Sequence, residues 1–425
     1  MRMLYNLIAY LAVPVAFAQV LWRGIRDPAY RSGFRDRFGY GAAVAGADHG
    51  AGSIWVHAVS LGEVTAASSL VRALRAAYPA QPLVLTTATP TGAKRARELF
   101  DGLGVDVRFG PYDLPGAVRR FFNRARPRIG IFMETELWPN MYRECERRGV
   151  PRIIASARIS TRSWPRYRRL RGLIRPLLNG CITVAAQTAD DAERFKSLGA
   201  PEQNVLVTGN LKFDIQIDPD VLTRGGVLRA DYLRSRVAWT AGSTHAGEEE
   251  AVLDAHALVR AAVPDALLVL VPRHPNRFDS VAALLTRRAI RFVRRSEGID
   301  VHGDTEVVLV DTLGELLVFY AATDAAFVGG SLVPVGGHNL LEPAALGLPV
   351  ATGPFTSNGP DVARLLIQNQ AAVCVRDAQQ LAAAMSLWLG EPSEGVRTGA
   401  IARNVVAANR GALQRLLVLV AGKLA

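Results

Sequence analysis

Several short stretches carry acids or bases where a fold could use them. Ser60-Leu61-Gly62-Glu63 follows an apolar, β-branched run. It reads in two ways. Ser60 can be a helix N-cap with Glu63 folding back onto the chain, or Glu63 can be a carboxylate at a strand end, free to accept a proton. Glu134 and Glu136 sit at i and i+2 just before Trp138-Pro139. Buried carboxylates are costly unless paired, so one of these two is expected to have an Arg or Lys beside it. Lys212 follows the last apolar run of the same half, in Gly209-Asn210-Leu211-Lys212-Phe213-Asp214. A Lys212–Asp214 surface pair, worth little, fits the same spacing.

The second half reads as an anion site. Gly242-Ser243-Thr244-His245 opens a helix with Glu248 to Glu250 in its first turn, and Pro272-Arg273-His274-Pro275 ends a Leu/Val-rich run. Asp311-Thr312-Leu313-Gly314-Glu315 ends another, with Thr312 and Glu315 at capping-box spacing. Gly329-Gly330-Ser331 and Gly336-Gly337-His338-Asn339-Leu340-Leu341-Glu342-Pro343 follow. Asn339 reads as an N-cap with Glu342 at N3. Glycines such as Gly330 and Gly337 let a phosphate approach the backbone, and helix starts supply free N–H groups. Arg273 can hold a phosphate through two parallel bonds, and Glu342 could take the hydroxyls of a ribose. Four such turns at four strand ends of one half point to a nucleotide.

Other chemistries find less support. No H-E-x-x-H, G-x-S-x-G or G-x-x-x-x-G-K-[ST] pattern occurs. His57, inside an apolar run, reads as a core or cleft residue. Three scattered cysteines, Cys145, Cys181 and Cys374, fit buried thiols in a reducing compartment. The net charge of +12 calls for a negatively charged partner. Arginines cluster in 119–128 and 158–175, the latter interleaved with Trp164 and Tyr167. That pattern suits nucleic acid, anionic lipid or a solvated helical face.

These residues must be positioned by recurring strand-then-helix units. Apolar runs at 53–60, 83–89, 128–134, 152–158, 181–187 and 205–210 make one half. Runs at 238–244, 267–273, 306–311, 325–330, 349–354 and 371–375 make the other. Helical stretches such as 64–78, 247–263 and 379–389 lie between them. Alternation of this kind predicts parallel sheets covered on both faces, here two Rossmann-like domains facing a cleft. Ligands then sit beyond the carboxyl ends of the strands. Residues 218–236 read as a linker.

The N-terminus points to a membrane. Residues 3–22 carry no charge, a span of the length that crosses a bilayer core of roughly 30 Å, although Asn6 and Pro14 weaken it. Arg23, Arg26, Arg31, Arg35 and Arg37, against Asp27 and Asp36, follow it and predict that the remainder stays in the cytoplasm. An interfacial helix is a rival. A signal peptide is disfavoured because the basic residues follow the apolar run.

With these motifs the chain resembles the 3-deoxy-D-manno-octulosonic acid (Kdo) transferases of lipopolysaccharide synthesis. The similarity runs from the N-terminus to the end and includes Ser60–Glu63 and residues 87–92, Pro111-Tyr112-Asp113-Leu114-Pro115, 133–140, 209–214, 243–249, 272–278 and 328–343. The resemblance implies a GT-B fold and three segments. Residues 1–40 form a membrane anchor and basic juxtamembrane segment. Residues 41–217 form an N-terminal Rossmann-like acceptor domain. Residues 218–425 form a C-terminal Rossmann-like CMP-Kdo-binding domain, its last helix a candidate to cross back. It implies transfer of Kdo from CMP-Kdo to the 6′-hydroxyl of the lipid A precursor (lipid IVA), with inversion and release of CMP. The expectation is that no metal, cofactor or nucleic acid takes part. The enzyme would sit at an anionic membrane surface, on the cytoplasmic side of the bacterial inner membrane. Glu63 corresponds to the family's proton acceptor, and Glu134 and Lys212 to its transition-state stabilisers. Pro272 and Arg273, Leu313, Gly314 and Glu315, and Asn339, Leu340, Leu341 and Glu342 correspond to its CMP-binding segments, with Ser243, Gly330 and Gly337 as secondary candidates. Asp36 departs from the Glu that relatives often carry. A membrane-associated GT-B transferase using a UDP-sugar, or a non-catalytic membrane-tethered binding protein, remains the alternative.

Overall fold

In the computed structural model, residues 2–26, 33–47 and 52–424 are described. Asp27 and Arg31 of the basic segment lie outside them. The chain forms two compact units, residues 1–214 with 410–425, and residues 215–409.

The first unit holds a seven-stranded, all-parallel sheet. Its strands are β1 (Ser53–His57), β2 (Leu83–Thr87), β3 (Val105–Phe109), β4 (Pro127–Met133), β5 (Arg152–Ala157), β6 (Ile182–Ala186) and β7 (Val205–Val207). Their order is β3-β2-β1-β4-β5-β6-β7. Apolar residues alternate between two cores. Trp55, Phe132, Ile154 and Val184 face one side, and Ile54, Val56, Ile131 and Ile153 the other. Both faces are apolar because helices cover both.

The second unit repeats the plan with β8 (Ala238–Thr244), β9 (Leu267–Pro272), β10 (Phe292–Arg294), β11 (Val307–Leu309), β12 (Ala325–Val328), β13 (Val350–Thr352) and β14 (Ala372–Cys374). The order is β10-β11-β9-β8-β12-β13-β14, again all parallel. Trp239, Leu268, Leu270 and Phe327 pack on one face, and Ala238, Leu267, Val269 and Val308 on the other.

Every apolar run expected to be a strand is one. The two strands that the apolar pattern does not announce, β3 and β10, are the first edge of each sheet. β3 carries Asp106 and Arg108, paired with each other, and an edge strand tolerates such charges. Residues 218–236 are not an open linker. They form the helix Pro219–Val227 and a π-helical turn Leu228–Tyr232. Leu228, Tyr232 and Leu233 are buried in the second unit's core, and Gly225 lets this helix approach Ala321 closely.

The last helix, Ala412–Leu424, belongs to the first unit. Ala412, Leu416 and Val420, one helical face, enter its core. Asp214 fastens its start by accepting from the Gly411 and Leu413 N–H groups at 2.6 and 2.7 Å. Lys212 therefore has another partner than Asp214. By length and composition, Pro392–Leu424 is the helical stretch among the described residues that is apolar enough to cross a membrane. The chain breaks helix at 410–411, however, and the final helix spends its apolar face on the core.

The N-terminal helix spans Arg2–Arg26 with Pro14 inside. Tyr5 Oη donates to Asp113 Oδ2 at 2.7 Å, and Asn140 Nδ2 donates to Asn6 Oδ1 at 3.0 Å. Met3, Leu7, Ile8, Leu11, Trp22 and Ile25 are exposed. Cys145 is buried as expected, but Cys181 and Cys374 are exposed, since each lies at a strand margin rather than in a core.

Candidate active site

The switch point of the first sheet is the carboxyl end of β1, between β2 and β4. There the chain leaves β1 through Ser60 into the helix Leu61–Ala66. Ser60 Oγ accepts from the Glu63 N–H, so the capping reading of this turn holds. The Glu63 carboxylate accepts from the Val59 N–H at 2.8 Å and from the Ser60 hydroxyl at 2.9 Å. Burial pushes its pKa up, the two hydrogen bonds pull it down, and the nearby Glu134 charge pushes it up again. Capping and proton acceptance are thus not rivals here. The cap holds the carboxylate in place, and burial makes it more basic.

β4 runs into the turn carrying Glu134 and Glu136. Glu134 has φ +52°, a left-handed conformation costly for a residue with a Cβ. Lys212 Nζ lies 3.7 Å from Glu134 Oε1, both side chains partly buried. This is the cationic partner that the paired acids demanded. Glu136 accepts from Trp138 Nε1 at 2.6 Å. Burial, then the charge of Glu63, raise its pKa to about 7. The turn is pinned from below by Asp113, whose carboxylate accepts from the Asn140 and Met141 N–H groups at 2.9 and 2.8 Å and so caps the helix Pro139–Arg147. Lys212 is positioned by Asn210, which accepts from its N–H at 3.0 Å, and Leu211 by Ser156 Oγ at 3.1 Å. His57 is buried, hydrogen-bonded through Nδ1 to Thr86 Oγ1 at 2.7 Å, its pKa lowered by burial to about 4. It is a neutral core residue.

In the second unit, β8 occupies the equivalent place between β9 and β12. Ser243 takes φ +57° within β8. The following helix starts only at Glu249, and Glu248 does more than decorate its first turn. Fully buried, Glu248 accepts from the N–H groups of His245, Gly330, Ser331 and Leu332 at 2.6–2.9 Å. It ties the end of β8 to the glycine turn after β12. Its partners lie up to 84 residues away in sequence, so no local pattern announces this role. Gly330 has φ +69° and Gly337 φ +76°. A Cβ at Gly330 would stand 2.9 Å from the His338 ring.

Pro272 closes β9, and Arg273 beyond it is exposed. Asn339 is not the N-cap of the helix Leu341–Leu346, a place that Leu340 takes, but its Oδ1 still accepts from the Leu341 N–H at 3.1 Å. Its Nδ2 donates to Glu342 Oε1 at 3.0 Å. Burial raises the Glu342 pKa, opposed by Asn339 and the Arg273 charge. Leu340 and Leu341 are buried, so only their backbone is available to a ligand. Leu313 is 75% exposed beside Gly314 at φ +84°. Glu315, rather than Thr312, precedes the helix Leu316–Ala322, and no capping bond from a side chain forms there. Glu315 pairs with Arg295 at 3.1 Å and with the Thr312 hydroxyl. That segment forms its own group, and Arg273, Asn339 and Glu342 form another. Among the described residues no cluster of three or more His, Cys, Asp or Glu is placed to hold a metal ion.

A family model described as 3-deoxy-D-manno-octulosonic-acid transferase (kdotransferase) matches residues 32–215. A 3-deoxy-D-manno-octulosonic acid transferase of Haemophilus influenzae is 39% identical over 420 residues, 98% of this chain and 97% of the relative. The chain belongs to the Kdo transferase family. A second member, from Bordetella pertussis, is 40% identical over 90% of this chain and 89% of its own length. The chain is therefore an enzyme, a glycosyltransferase. Its two parallel-sheet α/β domains have a GT-B-like counterpart in a UDP-GlcNAc 2-epimerase of Neisseria meningitidis bound to UDP-GlcNAc. That structure has a TM-score of 0.56 and 13% identity, and the match covers 87% of this chain and all of that one. A likeness at that identity speaks for the fold alone.

Proposed function

We propose that this Kdo transferase moves Kdo from CMP-Kdo to the 6′-hydroxyl of the lipid A precursor, with inversion, in lipopolysaccharide synthesis. The observation that carries this reading is the strand-end arrangement of Glu63 with Glu134 and Lys212, in a chain that matches a Kdo transferase over nearly its whole length. Glu63 accepts the proton of the attacking hydroxyl. The acceptor oxygen bonds to the anomeric carbon as the bond from that carbon to the phosphate oxygen breaks. The electron pair leaves with CMP. One displacement gives inversion. Lys212, held by Glu134, offsets charge at the reacting centre. In the second unit Arg273, the glycine turn at Gly330 and the helix start at Leu341 hold the cytidylate, with Asn339 and Glu342 at its ribose. Leu313, Gly314 and Glu315 line the same ligand. A positive site of this kind can carry the leaving phosphate without a metal.

A lipid acceptor and a cytoplasmic membrane surface fit two further features. The N-terminal helix keeps Leu7, Ile8, Leu11 and Ile25 exposed while Tyr5 and Asn6 bind the first unit. A cavity of about 500 Å³ opens beside Tyr5, lined by Tyr142, Arg143, Leu173 and Leu177. The helix reads as an anchor or as an interfacial element.

The test is incubation of the purified full chain with CMP-Kdo and lipid IVA, products read by mass. Addition of Kdo with release of CMP is expected. Transfer from a UDP-sugar instead, or no transfer from CMP-Kdo, would overturn the donor assignment.

A further inference from the structure

Three histidines at the switch point of the second sheet have no part in the scheme above. His245 follows β8, His274 follows β9, and His338 lies in the turn after β12. The His245 and His338 rings meet end to end, centroids 5.0 Å apart and planes 7° from parallel, with Nε2 to Nε2 at 2.8 Å. His274 meets His245 edge-on at 5.2 Å. Glu248 fixes both ends of this arrangement, through the His245 N–H and the Gly330 turn on which His338 packs.

We propose that His245 and His338, joined ring to ring beside Arg273 and His274, form an anion subsite that takes up one proton when the phosphate monoester of a nucleotide occupies it. The inference deepens the donor reading and rests on it.

The argument is one of proton counting. Two neutral imidazoles hold two N–H groups. In the Nε2–Nε2 contact one of these is consumed between the rings, which leaves one N–H for a ligand. A third proton would give the pair a second free N–H and a positive charge. Without a facing anion that charge is disfavoured. Both rings are partly buried, and both feel the positive field of Arg273 and of His274, with Arg277 adding to it at His245. Glu248 is the one acid acting the other way on His245, and four backbone N–H groups already share its carboxylate. A phosphate beside Arg273 reverses the balance, because it cancels the local positive field and accepts the new N–H. Binding and protonation then strengthen one another by linkage.

Such a subsite suits this reaction. The phosphate bears one negative charge while bonded to two carbons and about two once it is a free monoester at neutral pH. A site that becomes more cationic as its ligand becomes more anionic favours the departed state over the bound donor.

Calorimetric titration of the full chain with CMP at pH 7.5, in buffers of different ionisation enthalpy, reads the proton count directly. Uptake of about one proton per CMP is expected, with affinity rising about tenfold between about pH 8 and 7. His338→Asn and His245→Asn should each bind CMP more weakly and without uptake. Uptake unchanged in these variants would move the proton elsewhere, for instance onto the phosphate, and overturn the proposal. CMP binding to wild type without uptake would also overturn it and leave the donor assignment standing, whereas no CMP binding at all would remove both. Should the variants fold poorly, nitrogen-15 shifts of the wild-type histidines decide the matter. The shifts of the pair must move towards the imidazolium position by the equivalent of one ring when CMP is added, on one ring or shared between both, and unmoved rings refute the subsite.

Discussion

The two sheets present the same place with different chemistry. In each, the first strand of the unit lies between the second strand and the strand reached by crossover: β1 between β2 and β4, β8 between β9 and β12. In each, the backbone at that place includes a non-glycine residue in the left-handed region, Glu134 in one and Ser243 in the other. Yet the first site gathers Glu63, Glu134 and Glu136, with Lys212 beside Glu134, and the second gathers Arg273 and three histidines. The difference teaches that topology supplies the location and the strand-end residues supply the sign. A carboxylate cluster repels a phosphate and raises its own basicity, as proton abstraction from an alcohol needs. An arginine beside histidines that can gain a proton does the reverse and suits a departing phosphate.

The largest effect that could break this division of labour comes from Glu63→Gln. The amide keeps the cap geometry but cannot accept a proton. Turnover should fall by about a thousandfold, while CMP affinity, a property of the other unit, stays within about twofold of wild type. Steady-state kinetics beside calorimetry tests both halves. A variant that loses CMP affinity along with turnover would show that the two clusters do not divide the work. Arg273→Ala should do the opposite. Loss of a charge-assisted contact worth about 1.5–3 kcal/mol weakens CMP binding by roughly ten- to a hundredfold, and the salt dependence of binding should drop with it. Unchanged affinity would remove Arg273 from the phosphate site.

The acidic cluster was more legible in the sequence than the basic one, for a physical reason. Glu63, Glu134 and Lys212 each stand directly after an apolar run, so strand periodicity alone locates them. What spacing could not settle was Lys212, since Asp214 two residues on offered a nearer partner. The structure gives Asp214 to the final helix and Lys212 to Glu134. On the basic side the glycine turns were visible, but the histidine pair joins residues 93 apart and Glu248 ties loops more than 80 residues away. Tertiary contacts of that range leave no local periodicity. The same limit hid β3 and β10, whose charged or short runs are tolerated because they are edges. The helix at 219–227 was missed because residues 218–236 carry no strong strand signal and so read as a linker. Gly225 is there for close packing on Ala321.

The smallest expected effect sharpens the comparison through stability. Glu136 titrates at about 7 in the folded protein against an ordinary value of 4.5. The folded state therefore holds this proton more tightly than the unfolded chain. Below 4.5 both states are protonated and nothing is lost. Between 4.5 and about 7 the unfolded chain has released its proton and the folded one has not, so stability falls as pH rises. Above that window the loss is complete, about 1–2 kcal/mol once partial solvation is allowed for. Glu136→Gln, whose amide oxygen can still accept from Trp138, removes the loss. Its stability relative to wild type, from chemical denaturation, should be about 1–2 kcal/mol more favourable at high pH than at pH 5. His338 has the opposite sign. Its folded pKa is about 4 against 6.5, so wild type loses stability as pH falls through that interval, and His338→Asn should gain relative to wild type at low pH and not at high. Parallel pH slopes for the two variants would mean that burial does not oppose the charged form at both places, as it must to raise an acid and lower a base.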